Sequence, residues 1–242
     1  MHIYVADLHL LEHTYFASRE IGSLFESEPL IGNYALTYAL NLCSAPYRLV
    51  KGDDGPSYAR DLAPLNARGL YVTPAGFSSL RLALSTFNGQ PDSYYYRFAQ
   101  NSIMTTRDKP RAMNFPQTGR IRMLGLDSRA RFYLLDRDGR IAADQDALPP
   151  VYIRLGKFMS KARVTWSHRP ITPELVTQVR ASVTGLLNGA DLPDTGALLT
   201  YSAYNIHPAP ILRDVEMRGS FWRFRQDGGD VFLPAEMEYG VE

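Results

Sequence analysis

The order of elements predicts an α+β fold, and three features carry that prediction: an alternating strand near the N-terminus, two stretches with helical spacing, and a succession of short strand-like runs from residue 69 onward. Ile3 to Leu10 places Tyr4, Ala6, Leu8 and Leu10 on one face and Ile3, Val5, Asp7 and His9 on the other, the period of two of a strand. From Pro29, which suits a first helical position, Ile31, Tyr34, Ala35, Tyr38, Ala39 and Leu42 recur at helical spacing. Leu36 and Leu40 make the opposite side apolar too, so this helix is expected to be buried on most sides. Residues 44–68 contain Gly52-Asp53-Asp54-Gly55-Pro56 and few periodic positions, and read as a loop excursion. Strand-like runs follow at 69–73, 80–87, 120–126, 131–135, 151–155 and 163–166. The stretch 97–119, with Arg107, Lys109 and Arg111 among prolines and no periodicity, reads as a projecting basic loop or thumb. Thr172 then caps a second helix with Pro173 at its first turn. Its stripe is Leu175, Val176, Val179, Val183, Leu186 and Leu187, and Asn188-Gly189 stops it. Runs at 198–204, 221–225 and 231–233 make 190–242 a β-rich C-terminal extension. With no internal repeat, residues 1–242 form one domain, and the order suits a ferredoxin-like or RRM-like sheet with added β structure.

A chain of 242 residues, 45% hydrophobic and 21% charged, is long and apolar enough to bury a sizeable core, which excludes a disordered protein. Its single cysteine, Cys43, excludes an internal disulfide framework and any CxxC-type zinc or redox motif, and suits a reducing cytoplasm. There is neither a basic segment leading into an apolar one at Met1 nor a long uncharged apolar run. The expectation is a soluble cytoplasmic protein without a membrane partner.

The formal charge of +1 hides an asymmetry: residues 1–96 carry −3, residues 97–169 carry +9, and residues 170–242 carry −5. The middle segment holds no glutamate, and 12 of its 15 cations are arginine. The guanidinium fork grips phosphate bidentately and stacks on bases, so a polyanion is the natural partner. The alternative is a solvated basic face balanced by acidic patches elsewhere in the fold.

Most motif matches dissolve on inspection. His9-Leu10-Leu11-Glu12-His13 fits the H-x-x-E-H string of zinc peptidases, but that chemistry needs both histidines on adjacent helical turns. In an extended strand they stand roughly 13 Å apart, so no metal is expected there. Asp136-Arg137-Asp138-Gly139 lacks the remaining ligands of a calcium loop and reads as a hairpin turn between 131–135 and 140–142. Gly156-Lys157 lacks the upstream glycine and following hydroxyl of a phosphate-binding P-loop. No nucleophile constellation is present, and neither a metal nor any other cofactor is expected.

The informative stretch runs from Val151 to Trp166. A strand ends at Gly156, and Arg154, Lys157, Lys161 and Arg163 surround Phe158 before a second strand begins. Glycine admits a phosphodiester close to the backbone, the cations neutralise it, and Phe158 or Trp166 offers a face for a base. The competing reading is a basic surface turn with both aromatics in the core. Tyr94-Tyr95-Tyr96-Arg97-Phe98 is a weaker stretch of the same kind, because one face of it is expected to be core.

Three segments resemble the handle-capping subunits of type I-D CRISPR Cascade, the fifth numbered Cas family within the RAMP superfamily. They are Tyr15 to Gly22, Ser27-Glu28-Pro29-Leu30 through Asn33-Tyr34-Ala35-Leu36, and above all Arg154 to Arg163. The resemblance implies an RRM-like RAMP core with additional β elements. It also implies a non-catalytic RNA-binding role, capping the repeat-derived 5′ handle of the guide crRNA. The implied partners are a Cascade backbone subunit, the large subunit, and target DNA near its flanking PAM. On that view Arg154, Gly156, Lys157, Phe158, Lys161 and Arg163, with Arg107, Lys109 and Arg111, are the RNA-binding residues. The rival class is a metal-independent endoribonuclease of the same superfamily processing precursor crRNA, for which His168 with Lys161 is the one local base-and-cation candidate.

Overall fold

A computed structural model describes residues 1–43, 57–88, 95–97, 102–104, 118–143 and 149–240. In chain order the strands are β1 (His2–Leu10), β2 (Arg19–Ile21), β3 (Leu24–Glu26), β4 (Leu30–Ile31), β5 (Leu70–Val72), β6 (Ala75–Ser79), β7 (Leu82–Asn88), β8 (Tyr95–Arg97) and β9 (Ser102–Met104). They continue as β10 (Thr118–Leu124), β11 (Arg129–Asp136), β12 (Tyr152–Leu155), β13 (Ser160–Trp166), β14 (Glu174–Ser182), β15 (Leu187–Asn188), β16 (Ala197–Tyr204), β17 (Ile211–Gln226) and β18 (Gly229–Pro234). The helices are α1 (Asn33–Ala39), α2 (Tyr58–Ala67) and the single turn α3 (Arg140–Ala143). The described residues are mostly β.

Three larger sheets organise the described residues, and β8 and β9 form a separate two-stranded one. The central one runs β12-β13-β1-β11-β6-β4, with β5 also on β11. Its middle strands are antiparallel, and Ala6 pairs with both Phe132 and Trp166. Leu8, Leu10, Phe132 and Val164 are almost wholly buried there, as the alternation in β1 requires. Each such side chain contributes about 1.5–3 kcal/mol. A small sheet, β2-β3-β10-β7, lies beside it. The third sheet is built on the 16-residue β17, which pairs with β14, β15, β16 and β18.

A buried polar knot ties α1 to the C-terminal part of the chain. The Asp191 carboxylate accepts from Asn33 Nδ2 at 2.6 Å, Tyr34 Oη at 2.8 Å, Tyr71 Oη at 2.9 Å and the Gly240 N–H at 2.8 Å. Burial pushes this carboxyl above its ordinary pKa while the four donors act in the opposite sense.

Several expectations are corrected. The segment expected as a second helix is instead β14 and β15. Val176 and Val179 share a face at a spacing of three because a bulge with Gln178 at φ 56° lies between them, and this mimics helical periodicity. The third sheet therefore starts at Glu174, ahead of residue 190. The first helix begins at Asn33 rather than Pro29, since Leu30 and Ile31 pair with Gly76 and Ala75. Within the excursion expected at 44–68, residues 58–67 form α2, capped by Ser57, whose hydroxyl accepts from the Arg60 N–H at 3.4 Å. Asp136 to Gly139 is no hairpin. Both edges of β11 are already taken, by β1 on one side and β5 and β6 on the other, so no returning strand has a partner. The Asp136 carboxylate instead accepts from the Arg140 and Ile141 N–H groups at 3.1 and 2.9 Å and starts α3. No helix among the described residues is long and apolar enough to cross a membrane.

Candidate functional site

β12 and β13 form a hairpin whose alternation sorts the informative stretch into two faces. Ile153, Leu155, Ser160, Ala162 and Val164 are buried. Tyr152, Arg154, Lys161 and Arg163 point the other way, because Tyr152 pairs with Arg163 and Arg154 with Lys161. The register extends this exposed face inward: Arg163 pairs with His9, and His9 with Arg129. Tyr152, Arg163, His9 and Arg129 thus make one row across four strands, roughly 14 Å from end to end at about 4.8 Å per strand. Arg163 and Arg129 have no carboxylate partner among the described residues, so their guanidiniums are available to a ligand.

The other cations of this face are partly engaged. Arg154 Nη1 donates to the Met159 carbonyl at 3.1 Å, bracing the turn, and stands 3.7 Å from Glu12. Lys161 Nζ lies over the Tyr152 ring, 4.5 Å from its centre. Arg131 is held by Asp7 at 2.8 Å and by Asp227. His9 Nε2 sits 3.1 Å from Asp127.

The turn joining the two strands is Gly156-Lys157-Phe158-Met159. Gly156 has φ 71°, and a Cβ there would stand 2.4 Å from the Tyr15 carbonyl oxygen. The same oxygen accepts from the Lys157 N–H at 2.8 Å, so the turn is clamped to the segment that leads from β1 into the small sheet. Ser160 Oγ donates to the His13 carbonyl at 2.7 Å, and the Lys161 N–H to Glu12 at 2.7 Å. Phe158 is neither core nor free. It is 55% exposed, and its other side stacks on Tyr15 with ring centres 5.3 Å apart. Trp166 turns inward, edge-on to Phe132 at 5.7 Å, and offers no face to a base.

The small sheet adds a second cationic cluster, but a neutralised one. Glu26, 3% exposed, accepts from Arg19 and Arg122, each at 2.9 Å. Between the opposite face of this sheet and the glycine turn lies a cavity of about 350 Å³, lined by Tyr15, Glu20, Phe25, Phe87, Ile121 and Lys157 among others.

The structure therefore brings Arg154, Lys161 and Arg163 onto one face with Gly156, Lys157 and Phe158 at its tip, whereas Arg107, Lys109 and Arg111, with most of the expected thumb at 97–119, lie outside the described residues. It does not unite His168 and Lys161. Lys161 lies near the start of β13 and His168 in a bend two residues beyond its end, with roughly 16 Å of extended strand, from Lys161 to Trp166, in between. His9 and His13 do not converge either, since His13 Nδ1 accepts from the Leu126 N–H at 3.1 Å while His9 faces Asp127. Among the described residues no group of three or more His, Cys, Asp or Glu side chains is placed to hold a metal ion. Arg129, Tyr152, Tyr15, Phe25 and Phe87 are site neighbours that sequence spacing does not single out. The alternation of Arg129 and Arg131 is visible, but the register that sets Arg129 beside His9 and Arg163 is not.

The whole chain, residues 1–242, matches the family model of the type I-D CRISPR-associated protein Cas5/Csc1. The chain belongs to this Cas5/Csc1 family. The resemblance carried by Tyr15–Gly22 and Arg154–Arg163 thus stands at the family level. Among solved structures, a chain of the type III-B Cmr-beta complex bound to cognate target RNA and AMPPnP is similar at 8% identity, over 88% of this chain and 86% of that one, with a TM-score of 0.48. A CRISPR protein from Archaeoglobus fulgidus is similar at 14% identity, over 97% and 100% of the two chains, with a TM-score of 0.38. No curated protein sequence matches this Cas5/Csc1 chain.

Proposed function

We propose that this Cas5/Csc1 chain is the non-catalytic RNA-binding subunit that caps the crRNA 5′ handle in a type I-D Cascade effector. The observation that supports this most is the row Tyr152, Arg163, His9 and Arg129, open on one face of the central sheet, with the clamped turn carrying Lys157 and Phe158 at its end. Two guanidiniums without a carboxylate partner among the described residues, beside exposed aromatics, suit a single-stranded backbone whose bases stack, and they require no particular sequence. An antiparallel sheet with β1 at its centre and one partly open face also suits an RRM-like core, in which RNA lies on the sheet. Docking to a backbone subunit and the large subunit, and support of target DNA near the PAM, complete the reading. The nuclease alternative loses its sequence-local pair, because His168 and Lys161 are too far apart to act on one phosphodiester.

Purification of the assembled effector through this chain, followed by nuclease treatment, tests the reading. The expected result is a protected RNA of uniform length beginning with repeat sequence, weakened or lost with Arg163→Ala and Arg129→Ala together. Clean single-site cleavage of repeat RNA by the isolated chain in chelator contradicts it.

A further inference from the structure

The cavity between the small sheet and the glycine turn is built as a base-sized slot, and its wall chemistry is specific. In the small sheet Gly119 pairs with Phe87 and Ile121 with Phe25, so these residues share one face. Phe87 lies directly on Gly119: a Cβ there would come within 2.3 Å of its ring, so the missing side chain is what allows the ring onto the sheet. Phe25 adjoins it at 5.9 Å between ring centres, and Tyr15, already stacked on Phe158, closes the far wall. A volume of about 350 Å³ is at the small end of ligand sites, about 300–1,000 Å³.

Three charged groups line the slot: Arg19, which is already paired with Glu26 and Glu28, and Lys157 and Glu20, which are not paired among the described residues. The Lys157 main chain is anchored there by its backbone N–H to the Tyr15 carbonyl, and its side chain lines the slot. Glu20 extends into the same space, and its negative charge, after burial, is the second cause of the raised pKa of the Tyr15 hydroxyl. Among the described residues Glu20 forms no ion pair. A carboxylate offers two acceptors side by side. Guanine alone among the bases presents two parallel donors, N1–H and the N2 amine, on its Watson–Crick edge. Adenine and cytosine set a ring acceptor beside their amine, and uracil sets carbonyls on both sides of its single donor. Each of these turns a lone pair toward the carboxylate.

We propose that this slot holds one unpaired guanine of the bound RNA, stacked on Phe87, with Glu20 accepting from N1–H and the N2 amine and Lys157 neutralising the adjoining phosphate. This rests on the RNA-binding reading above and adds base specificity to it. The test measures affinity of the purified chain for short oligouridine RNAs carrying a single central guanosine, inosine or adenosine. Guanosine should bind roughly tenfold tighter than adenosine. Inosine, which keeps N1–H but lacks the amine, should fall between them. Glu20→Gln should bring the guanosine-to-adenosine ratio close to one, and Phe87→Leu should weaken all three RNAs together with the melting temperature kept. Equal affinity for guanosine and adenosine in the unaltered chain, or a preference that survives Glu20→Gln, overturns the guanine slot alone. Failure to bind any of the three RNAs overturns the RNA-binding reading and the slot with it.

Discussion

The arginines of this protein live in two settings that look alike in the sequence and differ in what they can do. In the small sheet, Arg19 and Arg122 converge on Glu26, a carboxylate with almost no exposed surface, and their charge is neutralised by it although both side chains remain partly exposed. On the central sheet, Arg163 and Arg129 flank His9, whose ring takes the nearby Asp127 carboxylate at 3.1 Å, while the two arginines have no carboxylate of their own among the described residues and face outward. The same fork-shaped cation is a fastener in one place and a docking group in the other. The difference is set by what the neighbouring strand places opposite it. Counting cations along the chain measures neither role. Register does.

The comparison predicts which changes fold the protein badly and which leave it folded but unable to bind. The largest expected effect lies in the turn that supports the open face: Gly156→Ala combines a left-handed φ of 71° with a Cβ 2.4 Å from a backbone oxygen. It should cost about 3 kcal/mol. The check is the denaturant midpoint, with a drop well under 1 kcal/mol counting against the clamp. Glu26→Gln should follow at about 2 kcal/mol, since it strips the charge from a buried acceptor of two guanidiniums. Urea unfolding of that variant shows whether the small-sheet arginines are fasteners; a neutral result would move them into the available class. Phe158→Ala should weaken RNA binding by about 1–3 kcal/mol with no change of salt dependence, because stacking is not ionic. Being 55% exposed, Phe158 should cost the fold under about 1 kcal/mol. Isothermal titration beside a melting curve separates the two quantities.

How much of this was legible in the sequence follows the same division. The alternation of β1 and of Tyr152–Leu155 and Ser160–Trp166 reports strands directly, and Gly156 among cations marks the turn. The hydrophobic spacing at 174–182 misleads because a bulge restores the face after three residues rather than two. α2 is obscured by Pro64 in its interior, although the Ser57 cap and the buried Leu62 and Leu65 are its true signals. The pattern at 154–163 singles out Arg154 and Lys161 equally with Arg163. Only the packing shows Arg154 bonded to Met159 and Lys161 seated over Tyr152. Arg129 escapes notice because His9, beside it on the row, lies more than a hundred residues away in one direction and Arg163, beyond His9, over thirty in the other.

The most direct test is the salt dependence of crRNA-handle affinity for the double variant Arg129→Ala with Arg163→Ala, measured beside its melting temperature. Loss of two phosphate contacts should flatten the log–log slope by about 1.4, at roughly 0.7 per contact on a single strand. Stability should stay within about 0.5 kcal/mol of the parent, as both side chains are exposed and lack carboxylate partners among the described residues. A folded double variant whose slope equals that of the parent would contradict the assignment of this sheet face to the RNA backbone.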